Sequence, residues 1–209
     1  MKSLQFITHH NQRLSYAEGA EMALRGGCRW VQLRMKEASD DEFLAVGHAV
    51  GKLCRDYGAR FILDDRVHLV KPLMADGVHL GKHDMGVSEA RAYLKADNLI
   101  IGGTANTFDD IKRLYRQGAD YIGCGPFRFT QTKQNLAPLL GLDGYRRLIE
   151  RMRHDHIDIP LIAIGGIEAP DVAAILRAGA DGIAVSGTVM NADDPVEAMK
   201  QLINITATI

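Results

Sequence analysis

A short turn motif returns before alternate apolar runs of this chain. Ala75-Asp76-Gly77, Gly118-Ala119-Asp120 and Gly179-Ala180-Asp181-Gly182 each introduce a brief run of strand-forming residues, and Gly26-Gly27-Cys28 stands in the same place before another. Taken in order, strands are expected at 4–8, 29–34, 60–63, 77–80, 99–101, 121–123, 160–164 and 182–185. Helical spacing occupies 16–25, the stretch capped by Asp40 or Asp41 and ending near 57, then 67–73, 88–94, 107–117, 143–154, 170–177 and the segment opened by Pro195. The apolar runs are short and alternate poorly, as in a parallel sheet covered on both faces. Eight such units fill the 209 residues without a linker or low-complexity tract. A repeat at every second strand suits a barrel whose alternate strands fill alternate core layers. The expected fold is therefore α/β, a (β/α)8 TIM barrel made by residues 1–209 as one domain. An open doubly wound sheet is the alternative.

In such a barrel the C-terminal strand ends build the active site. The sixth run leads into DYIGCGPFRFTQTK at 120–133, where glycines are followed by Thr130, Thr132 and Lys133. Backbone N–H groups, hydroxyls and a lysine together suit an anion, although a polar loop has the same composition. The second run, VQLRMK, sets Gln32, Arg34 and Lys36 two residues apart, on one side of an extended segment, where they could clamp a polyanion. Asp64 and Asp65 close the third run, and His79, Gly81 and Asp84 follow the fourth. Carboxylates on neighbouring strand ends can share a magnesium ion with substrate phosphates, and otherwise form salt bridges or caps. As sequence neighbours, Asp64 and Asp65 are expected to point opposite ways, so only one would bind metal directly. His79 reads as a hydrogen-bonding residue at the mouth. Runs seven and eight end AIGGI and AVSGT, paired turns of the kind that hold one phosphate. Two anionic sites in one mouth are implied: a monophosphate site at strands seven and eight, and a metal-assisted, more cationic site at strands two to four.

Composition narrows the surroundings. Net charge is −1 with no basic block, which leaves no footprint for nucleic acid. No apolar run approaches the ~20 residues that span a bilayer. Three widely spaced cysteines, Cys28, Cys54 and Cys124, fit buried thiols in a reducing cytosol, with a reactive thiol at Cys124 the lesser alternative. A cytoplasmic location follows as the expectation. Small-molecule substrates are the expected partners, and a homo-oligomer is compatible with the sequence.

VQLRMK, LDD (63–65), DGVHLGKHD (76–84), GADYIGCGPFRFTQTK (118–133), IPLIAIGGI (159–167) and GADGIAVSG (179–187) together resemble the motifs of the thiamine-phosphate synthase family. The resemblance implies a (β/α)8 barrel that joins hydroxymethylpyrimidine diphosphate to a thiazole phosphate, releases pyrophosphate and needs magnesium. By resemblance Gln32, Arg34, Lys36 and Lys133 hold the pyrimidine diphosphate, and Asp64 occupies a diphosphate-contacting position. Asp65 and Asp84 match the magnesium ligands. Thr104 matches a serine near the reacting pyrimidine. Thr130, Thr132, Gly166, Ser186 and Gly187 match the thiazole-phosphate site. Four positions depart from the family pattern. Asp64 replaces an asparagine, Lys82 a glutamine and Gly187 a serine, and Asn106 stands where a histidine is frequent. Lys82 is expected to offset the charge of Asp64. A thiazole tautomerase-like isomerase, a non-catalytic phosphate-binding barrel and an epimerase are the rival readings. The retained Arg34, Lys36, Asp65, Asp84 and Lys133 favour the synthase over the tautomerase.

Overall fold

A computed structural model describes residues 3–95, 98–129 and 139–209. Eight parallel strands close into a barrel in chain order: β1 (Ser3–Ile7), β2 (Trp30–Leu33), β3 (Arg60–Asp64), β4 (Gly77–Leu80), β5 (Ile100–Ala105), β6 (Tyr121–Cys124), β7 (Leu161–Ile164) and β8 (Gly182–Val185). Ser3 pairs with Gly182, so the sheet has no free edge and the open-sheet alternative is excluded. Around the barrel run α1 (Tyr16–Arg25), α2 (Asp40–Asp56), α3 (Val87–Leu94), α4 (Phe108–Arg116), α5 (Gly141–His154), α6 (Ala169–Arg177), α7 (Gly187–Met190) and α8 (Pro195–Ala207). Among the described residues no helix is long and apolar enough to cross a membrane.

Several boundaries differ from expectation for local reasons. Ser39, not Asp40 or Asp41, caps α2: its hydroxyl accepts from the Glu42 N–H, and the Glu42 carboxylate accepts in return from the Ser39 N–H. Asp40 instead meets His68 Nε2 at 2.7 Å. After β3 only a 3-10 turn forms, at Val67–Leu69, in place of the helix expected to 73. The short helix α7 follows β8 directly and was not foreseen. β5 extends to Ala105, so Gly102, Gly103 and Thr104 belong to the strand rather than to a loop after it. There the glycines make room. A Cβ on Gly102 would lie 2.2 Å from the Tyr121 ring, and one on Gly103 would lie 2.4 Å from the Leu114 side chain.

The turn motif has a physical role. Asp76, Asp120 and Asp181 each precede an even-numbered strand, and each carboxylate accepts a backbone N–H at the start of the strand before it. The donors are Phe61 at 2.7 Å, Ile101 at 2.7 Å and Leu161 at 2.9 Å. The N–H of each aspartate donates back to the carbonyl of the same residue, at 2.8 Å in all three cases. These two-way bonds lock β3 to β4, β5 to β6 and β7 to β8. Before β2 the equivalent position is Arg29, whose side chain cannot accept, and among the described residues no such staple joins β1 to β2.

Alternation along the strands then sorts the core. Ile7, Trp30, Ile62, Tyr121, Ile162 and Ala184 form one buried cluster inside the barrel, while Val31, Leu33, Leu63, Val78, Ile101, Ile122 and Val185 pack outward with the helices. Continuing the inward parity, Gln32, Asp64, His79 and Thr104 point to the barrel axis near its C-terminal mouth. Cys28, Cys54 and Cys124 are all free and buried.

Replacing Asp181 by alanine should lower stability by about 1 kcal/mol, the usual net value of one hydrogen bond. Asp76→Ala should add to it nearly independently, because the two staples share no partner. Urea denaturation of the two single variants and the double variant checks both expectations.

Candidate active site

Strand ends two to four converge. Arg34 Nε lies 3.4 Å and Lys36 Nζ 3.3 Å from Asp64 Oδ2, and Lys36 Nζ also bonds Asp65 Oδ2. The Arg34 N–H is anchored by the buried Thr8 hydroxyl at 3.0 Å. Asp64 and Asp65 do not diverge as strict alternation requires. Asp65 takes a positive φ of 64°, which ends the extended geometry and turns its carboxyl back to Lys36 and toward Asp84. Asp84 is fixed in turn by the Gly81 N–H, which donates to Oδ2 at 2.6 Å.

Two cations therefore face three carboxyl groups. Burial, opposed by Lys36 and Arg34, pushes Asp64 upward. Burial, followed by the hydrogen bond with Asp84 and the charge of Asp64, pushes Asp65 upward too. Burial would also raise Asp84, but the bonds from Asp65 and the Gly81 N–H outweigh it and hold Asp84 low. Among the described residues Asp65 Oδ1 is buried and has no hydrogen-bond partner. An under-bonded carboxylate oxygen among three neighbouring carboxyl groups fits a small divalent cation that takes two protein carboxylates and completes its shell with phosphate oxygens and water. Among the described residues no group of three or more His, Cys, Asp or Glu forms a full metal cage.

Lys82 does not compensate Asp64. Its Nζ lies 2.7 Å from Asp110 Oδ2 on α4, and Arg34 and Lys36 supply the cations at Asp64. Asp110 is the second half of the capping box of α4: it accepts from the Thr107 and Asn106 N–H groups, each at 3.0 Å. Asn106 Nδ2 donates onward to the Gly125 carbonyl. Two of the departing positions, Lys82 and Asn106, so meet at one carboxylate that links the loops after β4, β5 and β6.

At strands seven and eight, Gly165 and Gly166 take φ of 98° and 67°, a region where a side chain is strained. The Thr188 hydroxyl donates to the Ile167 carbonyl at 2.5 Å, joining this turn to Ser186 and Gly187 at the start of α7. Among the described residues a Cβ at Gly187 would meet Asn191 Nδ2 at 3.3 Å, the end of a side chain that can give way, so glycine is not sterically required there. Arg128, which the sequence reading passed over, covers the turn. It donates to the Gly166 carbonyl at 3.1 Å and pairs with Asp171 at 2.9 Å. Its place within the motif at 118–133 was the available signal. Tyr145 of α5 was also missed. It is fully buried, donates to the Cys124 carbonyl at 2.6 Å and accepts the Ile164 N–H at 3.3 Å, bridging β6 and β7 where they diverge. Burial pushes the Cys124 thiol up to about 12, which removes the reactive-thiol alternative.

Gln32 lies inside the barrel, 2% exposed, with its amide beside the Tyr121 hydroxyl and, among the described residues, no geometric hydrogen-bond acceptor for Nε2. Thr104 Oγ1 meets His79 Nε2 at 2.9 Å. Thr130, Thr132 and Lys133 lie outside the described residues.

A family model described as thiamine monophosphate synthase matches residues 4–189. The chain belongs to the thiamine monophosphate synthase family. That membership makes it an enzyme, a transferase of thiamine biosynthesis. It is 55% identical over 202 residues to a thiamine-phosphate synthase of Phocaeicola vulgatus, covering 97% of each chain. It is 52% identical over 209 residues to a thiamine-phosphate synthase of Bacteroides thetaiotaomicron, covering 100% of both. The solved thiamine phosphate pyrophosphorylase from Pyrococcus furiosus superposes with a TM-score of 0.87 at 35% identity, over 99% of this chain and 96% of that one. The synthase family thus shares the whole barrel described above.

The Asp110 knot carries a pH signature. Burial raises its carboxyl, but bonds from Lys82, Asn106 and Thr107 prevail and hold it at about 2, against an ordinary 3.8. A depressed folded-state value contributes stability that is full above the ordinary value and is lost as pH falls through the folded one. Between about pH 4 and 2 the wild-type chain should lose this contribution, and Asp110→Asn should flatten that part of the stability profile. Chemical denaturation at stepped pH makes the comparison.

Proposed function

We infer that this chain condenses hydroxymethylpyrimidine diphosphate with a thiazole phosphate, forming thiamine phosphate and releasing pyrophosphate. The observation that carries the reading is the convergence of Arg34 and Lys36 on the Asp64–Asp65–Asp84 cluster, in a chain of this family. Cations and paired carboxylates at adjacent strand ends suit a diphosphate bound with a metal ion.

Bond breaking between the pyrimidine methylene and the diphosphate oxygen leaves negative charge on the pyrophosphate. Arg34 and Lys36 are placed to neutralise it, with Lys133 assigned to the same task by family resemblance. Gln32 is assigned to the same substrate by family resemblance. Asp65 and Asp84 would hold magnesium, which when bound supplies further charge neutralisation to the leaving group. Asp64 draws Arg34 and Lys36 together before substrate arrives. The amino-pyrimidine spreads positive charge from its own methylene, and the thiazole nitrogen then forms the new carbon–nitrogen bond. No nucleophilic side chain or tuned general base is required, so the chain acts through charge and orientation. The second substrate's phosphate is assigned to Gly166, Ser186 and Gly187, with Thr130 and Thr132. A cytosolic setting fits the buried, unpaired thiols.

Incubation with both substrates and magnesium should give thiamine phosphate, and a strong chelator should abolish it. A folded chain that makes no product would overturn the reaction, whereas activity indifferent to chelator would overturn the metal assignment alone. Arg34→Ala should lower kcat about thirty- to a thousandfold, the worth of a charged contact that strengthens in the transition state. The KM for thiazole phosphate should stay unchanged; a selective rise in that KM would mean the two phosphate sites are reversed.

A further inference from the structure

Beneath the mouth, the barrel axis carries a column of bonded polar groups. Gln5 Nε2 donates to the Tyr121 hydroxyl at 3.3 Å. That hydroxyl meets His79 Nδ1 at 3.0 Å, and His79 Nε2 meets the Thr104 hydroxyl at 2.9 Å. Gln5, Tyr121 and His79 are 2%, 3% and 6% exposed, whereas Thr104, at the top, is half-buried. Aliphatic side chains usually fill a barrel interior. Here two strand positions are emptied for the column. A Cβ at Gly102 would come within 2.2 Å of the Tyr121 ring, and one at Gly123 within 2.9 Å of the His79 ring. Buried polar groups are costly unless bonded, and this column is bonded link by link. Burial also pushes the Tyr121 phenol upward, which keeps it neutral.

A threonine hydroxyl offers one proton and two lone pairs. His79 Nε2 occupies one of these directions and so leaves the others for the mouth. We propose that His79, braced by Tyr121 and Gln5, is a positioning residue that holds the Thr104 hydroxyl in one orientation against the amino-pyrimidine ring of the diphosphate substrate. This rests on the placement of Thr104 beside the reacting pyrimidine. The bond that breaks is attached to that ring, so misorientation should slow turnover rather than weaken binding of the second substrate.

The test uses Thr104→Val, Tyr121→Phe, His79→Leu and His79→Gln, with kcat, both KM values and thermal unfolding measured for each. Thr104→Val and His79→Leu should each lower kcat roughly tenfold, with the thiazole-phosphate KM unchanged. His79→Gln, which restores an amide near the position of Nε2, should recover part of the loss. Tyr121→Phe, which keeps the ring and removes the hydroxyl that meets His79, Gln5 and Gln32, should give a smaller loss of the same kind. The decisive readout is coupling: in the Thr104→Val background, neither His79→Leu nor Tyr121→Phe should slow turnover further. If His79→Leu fails to fold, the Tyr121→Phe and Thr104→Val cycle decides by itself. Multiplicative losses in the double variants, or full-speed Tyr121→Phe and His79→Leu beside a slow Thr104→Val, would overturn the positioning role and leave Thr104 at the substrate. A Thr104→Val enzyme with wild-type kinetics would overturn the placement of Thr104 as well.

Discussion

Closure of the barrel depends on register, and in this chain register is held by three carboxylates. Asp76, Asp120 and Asp181 each accept the N–H of the residue whose carbonyl they also engage. A one-residue slip in a strand would turn its inward side chains outward. Asp64, His79 and Thr104 would then face the helices, and neither the charged cluster nor the polar column could form. The bottom of the barrel therefore fixes which atoms meet at the top.

The interior above these staples is divided by chemistry. Its lower part is an ordinary apolar filling around Trp30, Ile62 and Ile162, with the Trp30 and Tyr121 rings meeting edge to face at a centroid distance of 4.8 Å. Its upper part is polar and could exist only because glycines stand at 102 and 123. Charge is confined to the rim, where Arg34 and Lys36 can exchange carboxylates for a substrate anion without crossing the apolar layer.

The sequence made the fold legible because apolar runs, capping residues and turn motifs are local signals. Pro170 and Pro195 opened helices where expected, and Thr107 capped α4. The site was legible in its residue types, which the motifs carry, and less so in its geometry. Alternation failed at Asp65 because one positive φ reverses a side chain. Lys82 was misassigned because its partner Asp110 lies beyond α3 and β5, on α4, a contact fixed by loop packing rather than by spacing. The constraint on Gly102 and Gly123 was not legible, because it is the volume of rings on other strands.

The missing staple before β2 gives the barrel a preferred way to be rewired. Each aspartate ties together two strands consecutive in the chain, so the stapled pairs are self-contained segments. New termini placed between segments, in the turn at Gly58 for instance, would leave all three segments whole. A cut between β3 and β4 would separate Asp76 from Phe61. β1 begins, and the strand-antiparallel α8 ends, on the same face, with α8 packed beside β1 and α1. Where the chain is opened is thus less binding on the barrel than the pairing within each segment.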